Sequence, residues 1–347
     1  MVKTRYTVLY TVSYKHANGR NQNDRESIMS KPRAQQISVS NTPYYHVISR
    51  CVRRTFLCGE DRSTGQSYEH RRLWIEERIR LLASVFAIDV AAYAVMSNHY
   101  HVVVKINPDE VAHWTNDDVL ERWCCLHKGP PLVQRYQRGD ELIPAEIRRV
   151  VQYADTFRER LADLSWFMKC LNEPVARQAN KEDNCTGHFW ESRFKSQALD
   201  TEEAVLSCMA YVDLNPIRAA IAPTPETSDH TSIKERIAPQ FNLAEAIQSQ
   251  TAQHALNNFT VPLKPLLGFE GVIRKGFQRG ILFGFEDYLT LVDCTGRIAR
   301  EDKRGAIEEN MLPILKRLNL DPDRWCERAT QFETTYNDYR CHRRRAA

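Results

Sequence analysis

The spacing of hydrophobic and polar positions changes several times along the chain, and each change predicts an element. Tyr44–Arg54, between Pro43 and the Gly59-Glu60-Asp61 turn, predicts a first strand. Ile75, Ile79, Leu82 and Phe86 then recur at helical spacing while Arg71, Glu76 and Arg80 face away, which predicts a helix over Tyr68–Phe86. Ile88–Met96 reads as a second strand, Ser97-Asn98 as a turn and His99–Lys105 as a third strand. A period of two places Tyr100, Val102 and Val104 on one face, suited to packing on helices. His99, His101, Val103 and Lys105 fall on the other. Strand, helix, strand, tight turn, strand is the opening of a split βαβ arrangement around an antiparallel sheet, hence an α+β fold.

Residues 109–126 and 145–163 read as helices around a loop at 127–144, and 107–150 as a peripheral insertion. Leu164–Asn180 predicts a helix kinked at Pro174, and Phe189–Ala198 a further strand. On that strand Trp190 and Phe194 share one face, and Glu191, Arg193 and Lys195 the other. Asp200 suits an N-cap, with Glu203 placed to reach back to it, for a helix from Thr201 to Val212. The apolar stripe of that helix is Val205, Cys208, Met209 and Val212, and Tyr211 lies roughly 110° from its centre. Asn215 follows on the same flank as Tyr211. The run Pro223–Asp229 marks a boundary, after which Leu243–Leu256, Phe285–Val292 and Ile307–Leu318 give short helical patterns. The expected organisation is a polar tail over 1–40, a sheet-centred domain over 41–221 and a helical accessory domain over 222–347. A short strand is expected at Tyr6–Tyr14, and Met29 is the expected true start of translation, since no core pattern precedes Ile37.

Composition narrows the class. The chain has 347 residues, 42% hydrophobic and 27% charged, and no apolar run long enough to span a bilayer. Ten scattered cysteines with no Cys-x-x-Cys argue against a disulfide framework or structural zinc, so a cytoplasmic location is expected. The net charge of +4 is uneven: residues 1–40 hold seven Lys/Arg against two Asp/Glu, and the remainder sums to −1. A nucleic-acid partner therefore rests on local clusters, such as Arg50, Arg53 and Arg54 or the run Arg340–Arg345, each of which equally fits a solvated face.

The chemistry gathers on two stretches. His99 and His101 on one strand face can grip a metal ion, although a His-x-His pair alone fits a polar sheet face as well. With the Asn215 side-chain oxygen they make three ligands and leave positions open, a catalytic rather than a structural arrangement. Mixed nitrogen and oxygen donors suit Mn²⁺ or Mg²⁺, and imidazole also accepts zinc. Tyr211 beside such an ion can act as a nucleophile, since a cation stabilises the phenolate; otherwise it packs at a helix–sheet seam.

Asn98-His99-Tyr100-His101 resembles the His-hydrophobe-His (HUH) motif of single-tyrosine transposases, and Tyr211-Val-Asp-Leu-Asn215-Pro216-Ile-Arg218 resembles the tyrosine helix of REP-associated tyrosine transposases. Tyr44–Arg50 and Gly187–Phe194 look like their first and late strands, and the motifs run in the expected order over residues 37–221. The resemblance implies a ferredoxin-like HUH nuclease core. It implies cleavage of single-stranded DNA near hairpins through a 5′-phosphotyrosine on Tyr211, with Mg²⁺ or Mn²⁺ on His99, His101 and Asn215. Asn215 stands where many relatives carry the longer Gln, and His188 is a spare imidazole for that position. Arg50, Arg53, Arg54, Lys105, Arg193 and Lys195 are the candidate DNA contacts, with Tyr44, Tyr45 or Phe189 to stack on bases. The protein is expected to act as a monomer or homodimer. The rival expectations are a hairpin-binding protein with little catalysis, a metal-dependent nuclease that uses water, and an RNA-processing role.

Overall fold

The computed structural model describes residues 37–52, 57–61, 65–271 and 280–318. The expected strand at Tyr6–Tyr14, Met29, Arg53, Arg54 and Arg340–Arg345 lie outside the described residues.

A four-stranded antiparallel sheet stands at the centre, in the order β2-β3-β1-β4. Its strands are β1 (Tyr44–Arg50), β2 (Ile88–Val95), β3 (His99–Ile106) and β4 (Lys195–Ala198). Helix α1 (His70–Val85) crosses from β1 to β2, and β3 lies between them, antiparallel to both, as a split βαβ unit requires. The fold class is thus α+β. The first strand stops at Arg50, four residues short of the expected end, because Cys51 leaves the β3 ladder to bridge Trp190.

After β3 come α2 (Pro108–Ala112), α3 (Asn116–Leu126), α4 (Pro131–Gln137), α5 (Pro144–Leu161) and α6 (Leu164–Glu182). The single helix expected over 109–126 is broken because Thr115 and Asp118 close a capping box and start α3 afresh. Pro174 sits inside the continuous α6. Its missing N–H leaves the Cys170 carbonyl without an intrahelical donor, and Arg78 Nε supplies one at 3.0 Å. The late strand is only Lys195–Ala198. Trp190 instead turns inward, its Nε1 donating to the Asn172 carbonyl at 2.9 Å.

Helix α7 (Glu202–Asp213) is followed by α8 (Asn215–Arg218), α9 (Ser232–Ile237), α10 (Leu243–Ala252), α11 (Phe285–Arg297) and α12 (Ile314–Arg317). Its cap is Thr201, whose hydroxyl accepts from the Ala204 N–H, and not Asp200. Among the described residues no helix is long and apolar enough to cross a membrane.

The two faces of the sheet bury different cores. Tyr45, Val47, Tyr93, Val95, Tyr100, Val102 and Val104 pack with α1, α3, α5 and α6. On the other face Ala92, Ala94 and Val103 meet Val205, Met209 and Val212 of α7, with Tyr288, Leu289 and Val292 of α11 behind. Alanines on β2 let the helix come close. His230, Ser232 and Leu267 also seal the outer edge of β2. Val95 N–H donates to His230 O at 3.1 Å, Tyr93 N–H to Ser232 Oγ at 3.0 Å and Leu267 N–H to Val90 O at 2.8 Å. Backbone groups that an edge strand would leave open are thereby paired.

Candidate active site

Strand pairing decides which side chains share the histidine face. β1 and β3 pair Ile48 with His101, His46 with Val103 and Arg50 with His99. His46 is therefore the diagonal neighbour of His101 on that face, within reach of a ring. The two imidazoles lie nearly parallel with centroids 5.1 Å apart, and His46 Nε2 is 2.9 Å from His101 Nδ1. His99 stands edge-on to His101 at 4.8 Å. Its Nδ1 is 2.6 Å from Asn98 Oδ1. The turn that carries this pair is held from several sides. Met96 N–H donates to His99 O at 2.8 Å and Cys51 N–H to Asn98 O at 3.1 Å, and the Arg72 guanidinium donates to Val95 O and Ser97 Oγ.

Helix α7 delivers Tyr211 from above. Its ring meets His101 edge-on at 5.7 Å and His46 edge-on at 6.2 Å, and it is half-buried. Asn215 follows one turn later and donates Nδ2 to the Tyr211 carbonyl at 3.1 Å, which leaves its Oδ1 to accept. A third segment fixes the pitch of α7. Asp213, fully buried, accepts from Tyr288 Oη at 2.5 Å, Ser232 Oγ at 2.6 Å and the Ile233 N–H at 3.1 Å. Arg218 donates to the Ile298 and Thr295 carbonyls at 2.6 and 2.7 Å. Gly305 passes so close to the α7–α8 turn that a Cβ there would overlap the Ile217 carbonyl.

The electrostatics favour neutral imidazoles. Burial pushes His46 and His99 down to about 4, and for His99 the charges of Arg50 and Lys303 add to it. His101 is pushed well below its ordinary value, first by burial, then by His99, His46, Arg50 and Lys303. The fit to a metal ion turns on one atom: His101 Nε2 is buried without a hydrogen-bond partner. If His46 held the shared proton, His101 would bury an N–H with no acceptor. With the proton on His101 Nδ1, donated to His46, Nε2 presents a lone pair instead. Asn98 fixes His99 in the same tautomer. Two imidazole lone pairs on one sheet face therefore fit a divalent cation that keeps other positions open. Among the described residues no group of three His, Cys, Asp or Glu lies together to hold a metal ion.

The sequence-predicted residues thus divide. Tyr211 meets His101, His99 stands beside His101, and Asn215 bonds the Tyr211 carbonyl one turn on, while Arg50 is exposed, opposite His99 in the ladder. Lys105 shares the face but lies at the far end of β3, its Nζ over the Tyr44 ring at 5.8 Å. Lys195 is exposed on the edge strand opposite Ile48, and Arg193 precedes that strand. His188 is exposed ahead of β4, and among the described residues no hydrogen bond or ring contact joins it to the pair. Tyr45 and Phe189, at 1% and 2% exposure, are core residues and unavailable to bases.

Sequence reasoning missed His46, Asn98 and Lys303. His46 lay in the quoted first strand, in phase with Arg50, but only the register shows it beside His101. Lys303, whose charge acts on His99 and His101, had no local signal, since more than two hundred residues of chain separate it from them.

No family model and no curated protein matches the chain. Among solved structures it is similar to one of a REP-associated tyrosine transposase bound to a REP hairpin, over 62% of this chain and 90% of that chain, with 11% identity and a TM-score of 0.31.

Proposed function

We propose that this protein is a metal-dependent single-stranded DNA endonuclease and strand-transferase that cleaves beside DNA hairpins through a phosphotyrosine on Tyr211. The observation that carries the reading is the meeting of Tyr211 with His101, whose buried Nε2 has no protein partner. A buried polar atom left unpaired costs roughly 1–3 kcal/mol. A site that retains such an atom next to a phenol is built for something that arrives later.

His99, His101 and the Asn215 oxygen would hold Mg²⁺ or Mn²⁺. The ion supplies positive charge to the scissile phosphate and so favours attack by an oxygen nucleophile. The chain's own residues do the rest. His46 and Asn98 hold the two ligand imidazoles in one tautomer. Helix α7 aims the Tyr211 hydroxyl across the gap, and the Asp213 brace keeps that aim. Tyr211 Oη attacks phosphorus and the bond from phosphorus to the 3′ oxygen breaks. The proton lost by the phenol is matched by the proton the 3′ oxygen gains through solvent. The product is a 5′-phosphotyrosine and a free 3′ hydroxyl. Attack by another 3′ hydroxyl reverses the step and rejoins strands without ATP, because the phosphodiester bond count is conserved. The absence of a carboxylate among the ligands suits a substrate that brings its own negative charge. Arg50 and Lys303 add cationic charge at the same rim.

Incubation with Mn²⁺ or Mg²⁺ and labelled hairpin oligonucleotides bearing a single-stranded flank tests this on a denaturing gel. A protein–DNA adduct that disappears in both Tyr211→Phe and His99→Ala is the expected result. Cleavage that survives Tyr211→Phe would assign the attack to water, and tight binding without cleavage under either metal would leave a hairpin-binding protein.

A further inference from the structure

Helices α3 and α5 hold a pocket of about 620 Å³ on the opposite side of the sheet from the histidines, between the end of α3 and one face of α5. Its wall is an aromatic array. Trp123 and Phe157 stack at 4.5 Å with planes 8° apart, Tyr153 continues the stack at 6.1 Å from Phe157, and His127 lies 4.4 Å from Trp123. Two guanidiniums frame it. Arg149 lies 4.7 Å over the Tyr153 ring, and Arg160 lies 5.3 Å over Trp123 and 4.4 Å over Trp166. Arg149 bonds only the Gln152 amide oxygen, and among the described residues neither arginine has a carboxylate partner. Among those residues no acid lines the pocket. Burial above all, with the charges of Arg78, Lys169 and Arg160 added and Glu173 acting against them, pushes His127 down to about 4.

Trp123 and Phe157, at 4% exposure each, belong to the core, and Tyr153 is the half-buried ring of the stack that solvent reaches. Arginines beside such a ring, with no carboxylate partner, are complementary to a ligand that is flat and anionic at once. The volume suits a nucleotide-sized group. We propose that this pocket takes an unpaired nucleobase of single-stranded DNA, stacked against Tyr153, with a flanking phosphate on Arg149 and Arg160. The proposal rests on the reading that the substrate is single-stranded DNA. Helices α3 and α5 would then grip the strand away from the scissile bond. A free nucleotide shares the same chemistry, so the test separates the two.

A fluorescein-labelled oligothymidylate, a duplex of equal length and thymidine monophosphate as competitor would be titrated by anisotropy at fixed salt. An oligonucleotide carrying 5-iodouracil would be photo-crosslinked and the adduct mapped by mass spectrometry. The expected result is a crosslink within α3 or α5 and preference for the single strand. Affinity should fall about 5- to 100-fold in Tyr153→Ala, the range of one lost base stack. Arg149→Ala should weaken binding and flatten its salt dependence, and Tyr153→Phe should bind as the parent does. Arg149 is exposed, so its removal tests the pocket without threatening the fold. Unchanged affinity in both alanine variants, crosslinks confined to other elements, or competition by the mononucleotide at the oligonucleotide's own affinity would each overturn the proposal. The Tyr211 adduct assay, run on the same variants, separates the two ideas. Crosslinking here with no adduct would leave the pocket standing and remove the strand-transferase reading. An adduct with wild-type binding in the pocket variants would do the reverse.

Discussion

The two faces of the sheet come from the same strands yet behave as different materials. On the side covered by α1, α3, α5 and α6, Tyr100, Val102 and Val104 are fully buried among apolar neighbours, and the tyrosine tips are paired: Tyr100 Oη donates to Asn172 Oδ1 at 2.5 Å, Tyr93 Oη to Glu76 Oε1 at 2.5 Å and Tyr45 Oη to Ser38 O at 3.0 Å. On the α7 side, His46 and His101 are almost as deeply buried, at 2% each, but one ring nitrogen has nothing to bond. The first face is satisfied, and its removal from water is its purpose. The second keeps a polar deficit that the fold tolerates because three separate segments, α7, 228–233 and α11, brace it. Burial by itself therefore does not separate core from site, and neither does an unpaired atom, since Arg80 Nε and Arg236 Nε are also buried without a hydrogen-bond partner. At His101 the unpaired nitrogen lies beside a phenol.

Substitutions break the comparison most sharply where function and stability part. The largest expected effect is in Tyr211→Phe, which loses the DNA adduct on a denaturing gel while its thermal melt stays within a few degrees of the parent, because only a hydroxyl is removed. Next is acid sensitivity. His46 falls to about 4 in the fold from an ordinary value near 6.5, so the unfolded chain binds more protons between these limits. The stabilisation is intact above pH 6.5 and is lost as pH falls toward 4, by roughly 3 kcal/mol for His46 alone, with His99 acting in the same direction. Asp213 opposes this. Burial raises it to about 6, so its contribution is fully present below its unfolded value and fades as pH rises through 6. Denaturant melts at pH 5 and pH 7.5 should show the parent weaker at the lower pH, and His46→Gln should reduce that difference.

A third test breaks the brace. Tyr288→Phe leaves an Asp213 oxygen without its donor and should cost about 1.5–3 kcal/mol in a denaturant melt. Adduct formation should fall at the same time, because α7 loses its anchor. On the satisfied face Val102→Ala should cost about 1–3 kcal/mol of stability through its cavity, and leave adduct yield per folded molecule unchanged. Equal loss of adduct in the two variants would mean that the faces do not differ in the way described.

Much of this was legible beforehand for identifiable reasons. The split βαβ opening followed from periods of 2 and 3.6, and the division of β3 into a histidine face and a valine face followed from alternation alone. Cap positions and strand ends were less legible. Thr115 restarts a helix that hydropathy reads as continuous, and the late strand shortens because Trp190 finds a carbonyl on α6. Tyr45 and Phe189 looked like stacking platforms, but aromatic side chains carry no sign of which side of a strand will be covered.

The sequence by itself determined which residues can do chemistry and which of them share a strand or a helix, because alternation and helical pitch are local geometry. It settled His99 beside His101 and Asn215 one turn beyond Tyr211. Only the tertiary structure decided that His46 locks His101, that Asp213 ties the tyrosine helix to Ser232 and Tyr288, and that the charge of Lys303 reaches the histidines. Those interactions join segments from 19 to more than two hundred residues apart. Their partners are chosen by sheet register and by helix packing, which no local pattern encodes.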